Sequence, residues 1–286
     1  MRWAPPQQVA PNRIPVPLNY FSTPEFRPDQ DVELVLPPVP RRAGADLRVN
    51  GGRHVRIIGG HIRGRLQWTG GTGSLFVEGL RIDLTETPNR DAIVVSGAQG
   101  ASPDVFLQNI LVTGVQGAFK STHADIFQPY GAVGHLRVHN FTGDTNYQGF
   151  FIRPEYPIKS ATFSHVNLKF NRLGQPDGNT FLLWCRNMAG SPALGDPFFP
   201  VTYGPGVYAE ANDRTPGHAA AFPPPGFLVP GPGGMNFSGI TDLSGSVRWP
   251  PISGISGKVR LGPPPDGDFI DGHKVGLGYR SPGYAN

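Results

Sequence analysis

The chain has 286 residues, which is long enough for one large domain or two small ones. Its 39 glycines and 32 prolines exclude an architecture of long helices, while a hydrophobic content of 38% still allows a packed core. A formal net charge of +4 from scattered basic residues favours a mildly basic surface over nucleic-acid binding, and one cysteine, Cys185, excludes an internal disulfide and a cysteine metal cluster.

The first segment, residues 1–45, is rich in proline and ends close to the run VLPPVPRRAGAD. This composition predicts an extended N-terminal arm that covers the open end of the next domain or attaches to a partner. The first 21 residues lack the apolar stretch of a signal peptide, so we expect no ordinary secretion route. No run of 18 apolar residues occurs, so we also expect no membrane insertion.

Five later segments share alternating apolar residues followed by a bend. They are HVRIIGGHI (54–62), SLFVEGLRI (74–82), DVFLQNILV (104–112), HLRVHNFTG (135–143) and SATFSHVNL (160–168). Alternation places one set of side chains on one face of a strand. The bend position holds residue types that occur in left-handed backbone, namely Gly59, Gly79, Asn109, Asn140 and His165.

A second column of strands lies between these segments. DAIVVSGAQG (91–100) aligns with DIFQPYGAVG (125–134), and QGFFIRP (148–154) and NTFLLWC (179–185) follow at the corresponding places. A single unit cannot bury its own apolar face, but stacked units can. We therefore expect parallel, hydrogen-bonded strands in the five segments. The alternative is a β-sandwich of antiparallel hairpins.

These repeating units resemble the right-handed parallel β-helix of the pectin-lyase-like superfamily, which includes polysaccharide lyases, hydrolases, epimerases and bacteriophage tail spikes. The resemblance covers roughly residues 45 to 187 and carries no complete catalytic signature of one family. It implies an all-β fold with an N-terminal arm (1–45), a parallel β-helix (46–187) and an irregular C-terminal region (188–286).

The C-terminal region contains too much proline for central strands, as in FPPPGFLVPGPGG (222–234) and LGPPPDGDFIDG (261–272). It is either a disordered tail or an ordered, irregular wrap. Its many aromatic residues favour the wrap, which we expect to cap the last unit or to form subunit contacts.

Strand alternation also predicts a sugar-binding surface. If Ile93, Phe127, Phe150 and Phe181 point inward, their neighbours form an exterior stripe of aromatic rings and a guanidinium, which suit sugars with acidic groups. The sugar-binding candidates are Gln128, Tyr130, Phe151, Arg153, Glu155 and Trp184. The alternative is that the C-terminal wrap covers these aromatic residues.

The catalytic candidates are His123, Asp125, Asp91, Tyr147 and Arg153. Asp91 and Asp125 occupy equivalent places on neighbouring strands, where two carboxylates about 5 Å apart resemble a glycosidase pair or bind Ca²⁺. The alternative is that each aspartate caps a bend through a bond to the backbone. His123 lies two residues before Asp125, so the pair is a candidate for an oriented general base.

The resemblance implies three functions, of which we favour the first. In the first, the chain is a virion component similar to a tail spike or fibre, located on a virion or extracellular surface. It binds a cell-surface polysaccharide as a homo-oligomer, such as a trimer, with cleavage of the polysaccharide as an additional option. Alternatively, it is a stand-alone polysaccharide lyase or glycosidase, or a purely structural module. We expect no cofactor apart from the Ca²⁺ ion considered above.

Overall fold

The computed structural model describes residues 2–152, 156–175, 180–184, 200–214, 221–222, 229–230, 236–237, 240–241, 246–248 and 255–284. Every regular element in these ranges is a β-strand. The described part of the chain therefore includes no helix of the length and apolarity needed to cross a membrane.

The strands divide into a large sheet, a small sheet and one isolated pair. The large sheet contains β1 (Asn12–Pro15), β3 (Val32–Val35), β5 (His54–Ile58), β6 (His61–Ile62), β8 (Ser74–Glu78), β9 (Arg81–Asp83), β11 (Asp104–Val115), β13 (Val133–Thr145), β15 (Ile158–Phe170), β17 (Val201–Tyr203), β18 (Val207–Glu210), β22 (Ile240–Thr241), β23 (Ser246–Arg248) and β24 (Ile255–Leu261). The small sheet contains β2 (Phe21–Phe26), β4 (Leu47–Gly51), β7 (Leu66–Gly71), β10 (Ile93–Gly97), β12 (Asp125–Pro129), β14 (Gln148–Phe151), β16 (Leu183–Trp184) and β19 (Ala221–Phe222). The isolated pair is β20 (Val229–Pro230) with β21 (Asn236–Phe237).

The large sheet is parallel from β1 through β24, which confirms the parallel pairing predicted from the repeats. Residues at the first apolar position of each unit are direct partners from strand to strand, in the order Val32, Val55, Leu75, Val105, Leu136, Ala161, Val201 and Ile255. Antiparallel pairing within this sheet begins only where β23 joins β24 and β22 joins β23. The antiparallel sandwich is therefore wrong for the repeat region.

The small sheet is parallel in all its described pairs, in the order β19-β16-β14-β12-β10-β7-β4-β2. The chain passes repeatedly from one sheet to the other, since β11, β13 and β15 alternate with β12 and β14. Apolar residues from both sheets form one buried cluster. This cluster is the core that the alternating pattern predicted.

The predicted left-handed bends are confirmed at all five positions. The φ angles are 68° at Gly59, 69° at Gly79, 52° at Asn109, 48° at Asn140 and 51° at His165. The asparagine amides also join neighbouring bends, because Nδ2 of Asn140 donates to Oδ1 of Asn109 over 3.1 Å. This ladder offsets part of the cost of left-handed backbone at a residue with a side chain.

The segment 1–45 is part of both sheets and is not only an extended arm. Its strands β1 and β3 continue the large sheet, and β2 continues the small sheet. In the C-terminal region, β24 pairs in parallel with β17 and β18 and so extends the large sheet. The predicted inward position of Phe181 is wrong. Phe150 pairs with Leu183, and Phe181 packs outside the core against Trp184.

Two chain ends cross the outer face of the large sheet. The N-terminal strap, residues 2–9, spans several strands: the Arg2 guanidinium donates to Oγ of Ser164 on β15 over 2.8 Å, and the Val9 amide donates to Asp31 beside β3 over 2.6 Å. Because its two ends contact strands that are far apart in the sheet order, the strap runs across the strands.

The C-terminal strap, residues 269–284, follows the line of bends on the same face. The amide of Ile270 donates to Oγ1 of Thr142 over 3.1 Å, and the amide of Gly276 donates to the carbonyl of Gly79 over 2.8 Å. A Cβ atom at Gly79 would lie 2.0 Å from the ring of Tyr279. Glycine is therefore required there both for the bend and for the strap.

Candidate functional site

The candidate site lies at the corner where the chain leaves the large sheet and enters the small one. The connections 63–65, 84–92, 116–124, 146–147 and 171–175 lie there, one for each passage. Backbone bonds join the stacked loops, as in the 2.9 Å bond from the amide of Asn89 to the carbonyl of Gln116. This corner is where side chains from distant parts of the sequence come together.

Between these loops lies an open cleft of about 350 Å³, called here the corner cleft. Its lining residues are Pro88, Asn89, Gln116, Gly117, Ala118, Asn146, Gly174 and Gln175. Four of these residues carry carboxamide side chains, and each carboxamide offers both hydrogen-bond donors and an acceptor. The cleft is therefore suited to a ligand with many hydroxyl groups.

Buried and clamped groups hold the walls of the corner cleft in place. Oδ1 of the buried Asn146 accepts a 2.8 Å bond from the amide of Gly117. On the opposite side, the guanidinium of Arg214 donates to Oε1 of Gln175 over 2.8 Å and to the carbonyl of Arg172 over 2.6 Å. The walls are thus fixed by contacts that leave the cleft open.

An aromatic stack stands beside the corner cleft. The rings of Phe119 and His123 are stacked with centroids 5.6 Å apart, and the ring of Tyr147 lies 5.7 Å from His123 on the inner side. Phe119 is 51% exposed, whereas Tyr147 is fully buried. Nε2 of His123 is 2.8 Å from the carbonyl of Phe119, which ties the imidazole to its own loop.

The predicted column of Asp91, Asp125 and Gln148 is present at the start of the small-sheet strands. Asp125 pairs with Gln148, and Ile93 pairs with Phe127, which places Asp91 beside Asp125. Oδ1 of Asp91 accepts a 3.0 Å bond from the backbone amide of Asp125. Asp91 therefore bonds to the backbone of the neighbouring strand, which is a different contact from a bend cap.

Both aspartates are buried, and His123 is exposed. Burial raises the pKa of Asp91, and this effect exceeds the opposing effects of the Asp125 amide and of the Arg65 guanidinium, whose nitrogen is 3.9 Å away. Burial, together with the charges of Asp91 and Asp125, raises the pKa of Tyr130 to about 12. The phenol of Tyr130 therefore remains protonated at neutral pH.

The predicted sugar-binding stripe divides into exposed and buried members. Tyr130 is 51% exposed. Gln128 is buried and donates to the carbonyl of Pro129, while Phe151 and Trp184 are buried against each other with centroids 5.2 Å apart. Two further candidates, Arg153 and Glu155, lie outside the described residues.

The residues that line the corner cleft are absent from the candidates that the sequence supplied. Asn89, Gln116, Asn146 and Gln175 come from four different loops, which the alignment of the repeated strands does not include. Phe119 carried a weak signal, because an apolar aromatic residue stands in the otherwise polar loop QGAFKSTH. Phe119 also lies only four residues before the candidate His123 in the sequence.

Among the described residues, no group of three or more His, Cys, Asp or Glu side chains is placed to hold a metal ion. Comparison with known proteins finds no matching family model, no similar curated protein and no similar solved structure. The site must therefore be interpreted from its own chemistry.

Proposed function

We propose that this chain is a right-handed parallel β-helix, similar in character to phage tail spikes, that binds a cell-surface polysaccharide at the corner cleft. The observation that carries the proposal is the exposed stack of Phe119 on His123 beside a cleft lined by carboxamides. Sugar rings have apolar faces that pack on aromatic rings and hydroxyl groups that pair with amides.

The right-handedness of the proposed β-helix is expected from a general rule for parallel strands. Connections between parallel strands of one sheet are right-handed in nearly all known cases. Here each connection between successive parallel strands on the path from β1 to β17 passes through a strand of the small sheet. Such a chain forms a helix of strands, which supports the resemblance to the pectin-lyase-like superfamily.

The assembly and the location are part of the same proposal. A tail-spike-like protein acts on a virion or extracellular surface as a homo-oligomer, and a trimer is the expected state, with contacts to other virion proteins. Repeated copies would multiply a weak affinity for a repeating glycan. Size-exclusion chromatography with light scattering tests this part, and a monomer at micromolar concentration contradicts it.

The binding test uses two aromatic residues of equal exposure. Phe119 in the corner and Tyr130 on the small sheet are both 51% exposed. Phe119→Ala is expected to weaken binding of a bacterial capsular polysaccharide, found by glycan-array screening, by about tenfold, equivalent to about 1.4 kcal/mol. Tyr130→Ala is the matched control and should change the affinity by less than about twofold.

Two results contradict the proposal. If Tyr130→Ala weakens binding as much as Phe119→Ala does, the ligand does not depend on the corner cleft. If the wild-type chain retains no acidic or neutral polysaccharide on an array, the chain is a structural module.

Cleavage of the glycan is the second candidate function, and the contact of His123 with Tyr147 favours it. The exposed His123 is the candidate base for β-elimination or hydrolysis, and the buried Tyr147 packs against its ring. The test is product formation from acidic polysaccharides, followed by ultraviolet absorbance of unsaturated sugars. Activity that His123→Ala and Asp125→Asn both abolish would assign catalysis to this corner.

A further inference from the structure

A second pocket lies in the large sheet, away from the corner cleft. It has a volume of about 230 Å³ and is formed by the turn Gly204–Gly206, the strand β18 and the strand β24. The side chains of Tyr208, Lys258 and Arg260 line it. Because the turn is on the bend side of the large sheet, this pocket is separate from the proposed glycan site.

Two cations on β24 face this pocket. Lys258 and Arg260 flank the fully buried Val259, so both point away from the core. The guanidinium carbon of Arg260 lies 6.0 Å from the ring centroid of Tyr208. A ring at this distance orients the guanidinium without neutralising its charge.

A third basic residue is aligned with them. Across the antiparallel pair of β23 and β24, Arg248 is the direct partner of Lys258. The backbone register therefore adds a third basic residue to the same strand pair.

Two carboxylates, one on β18 and one after β24, have other partners. Asp268 accepts bonds from Lys169 over 2.7 Å and from Asn167 over 2.8 Å. Glu210 accepts a bond from the same Asn167 over 2.6 Å. Within the described ranges, no ion pair joins a carboxylate to Lys258 or Arg260.

We propose that this pocket binds a divalent oxyanion, a phosphate or sulfate group. The Arg260 guanidinium offers a planar pair of donors and the Lys258 ammonium a compact charge, and the two together match a doubly charged group. The source is either a free inorganic ion or a phosphorylated or sulfated sugar. This inference does not depend on the proposed function, because it concerns different residues.

The test is isothermal titration of the full chain with four probes: inorganic phosphate, inorganic sulfate, glucose 6-phosphate and glucose 6-sulfate. Lys258→Gln with Arg260→Gln is expected to weaken binding by about tenfold or more. The matched control is Arg42→Gln with Lys159→Gln, which removes the same charges from exposed positions elsewhere. The control is expected to change the affinity by less than about twofold.

The outcomes separate a built site from general attraction. Equal loss in the two double variants, or no saturable binding by the wild-type chain, overturns the proposal. Tighter binding of the sugar esters than of the inorganic ions assigns the site to a substituted glycan, and the reverse assigns it to a free ion.

A thermal-shift measurement keeps the proposal testable where the double variant folds poorly. Lys258→Gln alone is expected to retain the melting temperature in anion-free buffer, because Lys258 is a partly exposed surface residue. Phosphate should raise the melting temperature of the wild-type chain and not of this variant. A variant that phosphate stabilises as much as wild type contradicts the assignment.

Discussion

The outer face of the large sheet and the corner differ in what covers their polar and aromatic side chains. On the sheet face, the two straps bury such residues: Glu78 and Phe76 are almost completely inaccessible to solvent. At the corner, Phe119, Asn89 and Gln175 are exposed to solvent. The comparison shows that outward-facing aromatic residues on a parallel sheet are not by themselves a binding surface.

The covered face has the contacts of a packed interior. Trp3 packs on the rings of Phe106 and His139 with centroids 6.2 and 5.9 Å apart, and Tyr284 packs on Phe76 at 6.3 Å. These contacts join residues that are far apart in the sequence. We therefore expect substitutions here to change stability, and substitutions at the corner to change ligand binding.

The largest effect is expected at Glu78, whose buried carboxylate holds the C-terminal strap. It accepts 2.7 Å bonds from the hydroxyls of Tyr279 and Tyr284, and a 3.3 Å bond from Nε2 of Gln108. Tyr279→Phe with Tyr284→Phe leaves this buried charge poorly paired. We expect the free energy of unfolding, measured by urea denaturation, to fall by about 3 kcal/mol.

The control for this double variant is Tyr20→Phe, because Tyr20 is 54% exposed. Its loss of a hydroxyl should change the free energy of unfolding by less than about 0.5 kcal/mol. A double variant as stable as this control would mean that the strap is not anchored by Glu78.

A smaller, pH-dependent effect is expected at Asp31, where the N-terminal strap is attached. Its carboxylate accepts bonds from the Arg53 guanidinium over 2.9 and 2.7 Å and from the Val9 amide, and the Arg53 contact is the main cause that lowers the pKa of Asp31 to about 2. Because the pKa in the unfolded chain is near 3.8, this stabilisation is complete above about pH 4 and is lost as the pH falls toward 2.

We expect Asp31 to contribute about 1 kcal/mol to the free energy of unfolding. The contribution is small because the partly exposed Arg53 side chain is screened by solvent. Denaturant titrations at pH 2 to 6 should show a slope for wild type that Asp31→Asn reduces. An identical slope in both proteins would show that the acid sensitivity arises at other carboxyl groups.

The parallel strand pairing and the bends were predictable from the sequence because their signals are local and repeated. The left-handed bends at Asn109 and Asn140 recur at a fixed offset from alternating apolar residues, so short patterns specify them. The straps gave no such signal. Tyr279 and Glu78 are 201 residues apart in the chain, and nothing in either local sequence indicates the contact.

The candidate site was only partly predictable for a related reason. Asp91 and Asp125 were correctly aligned, because they occupy equivalent places on neighbouring strands. The corner cleft depends on loops of different lengths, so Asn146 and Gln175 meet only after the strands have stacked. Periodicity predicts which residues share a strand position, and it does not predict the shape of the loops between strands.

The smallest stability effect is expected at Phe119, at the corner. Because half of this side chain is already exposed to water, Phe119→Ala removes little buried area. Its free energy of unfolding should fall by less than about 0.5 kcal/mol in the same urea titration. A large loss would mean that the ring supports the loop through His123, and a weaker affinity for glycan in this variant would then reflect a collapsed cleft. A small loss, together with weaker binding, would locate the ligand contact on the ring itself.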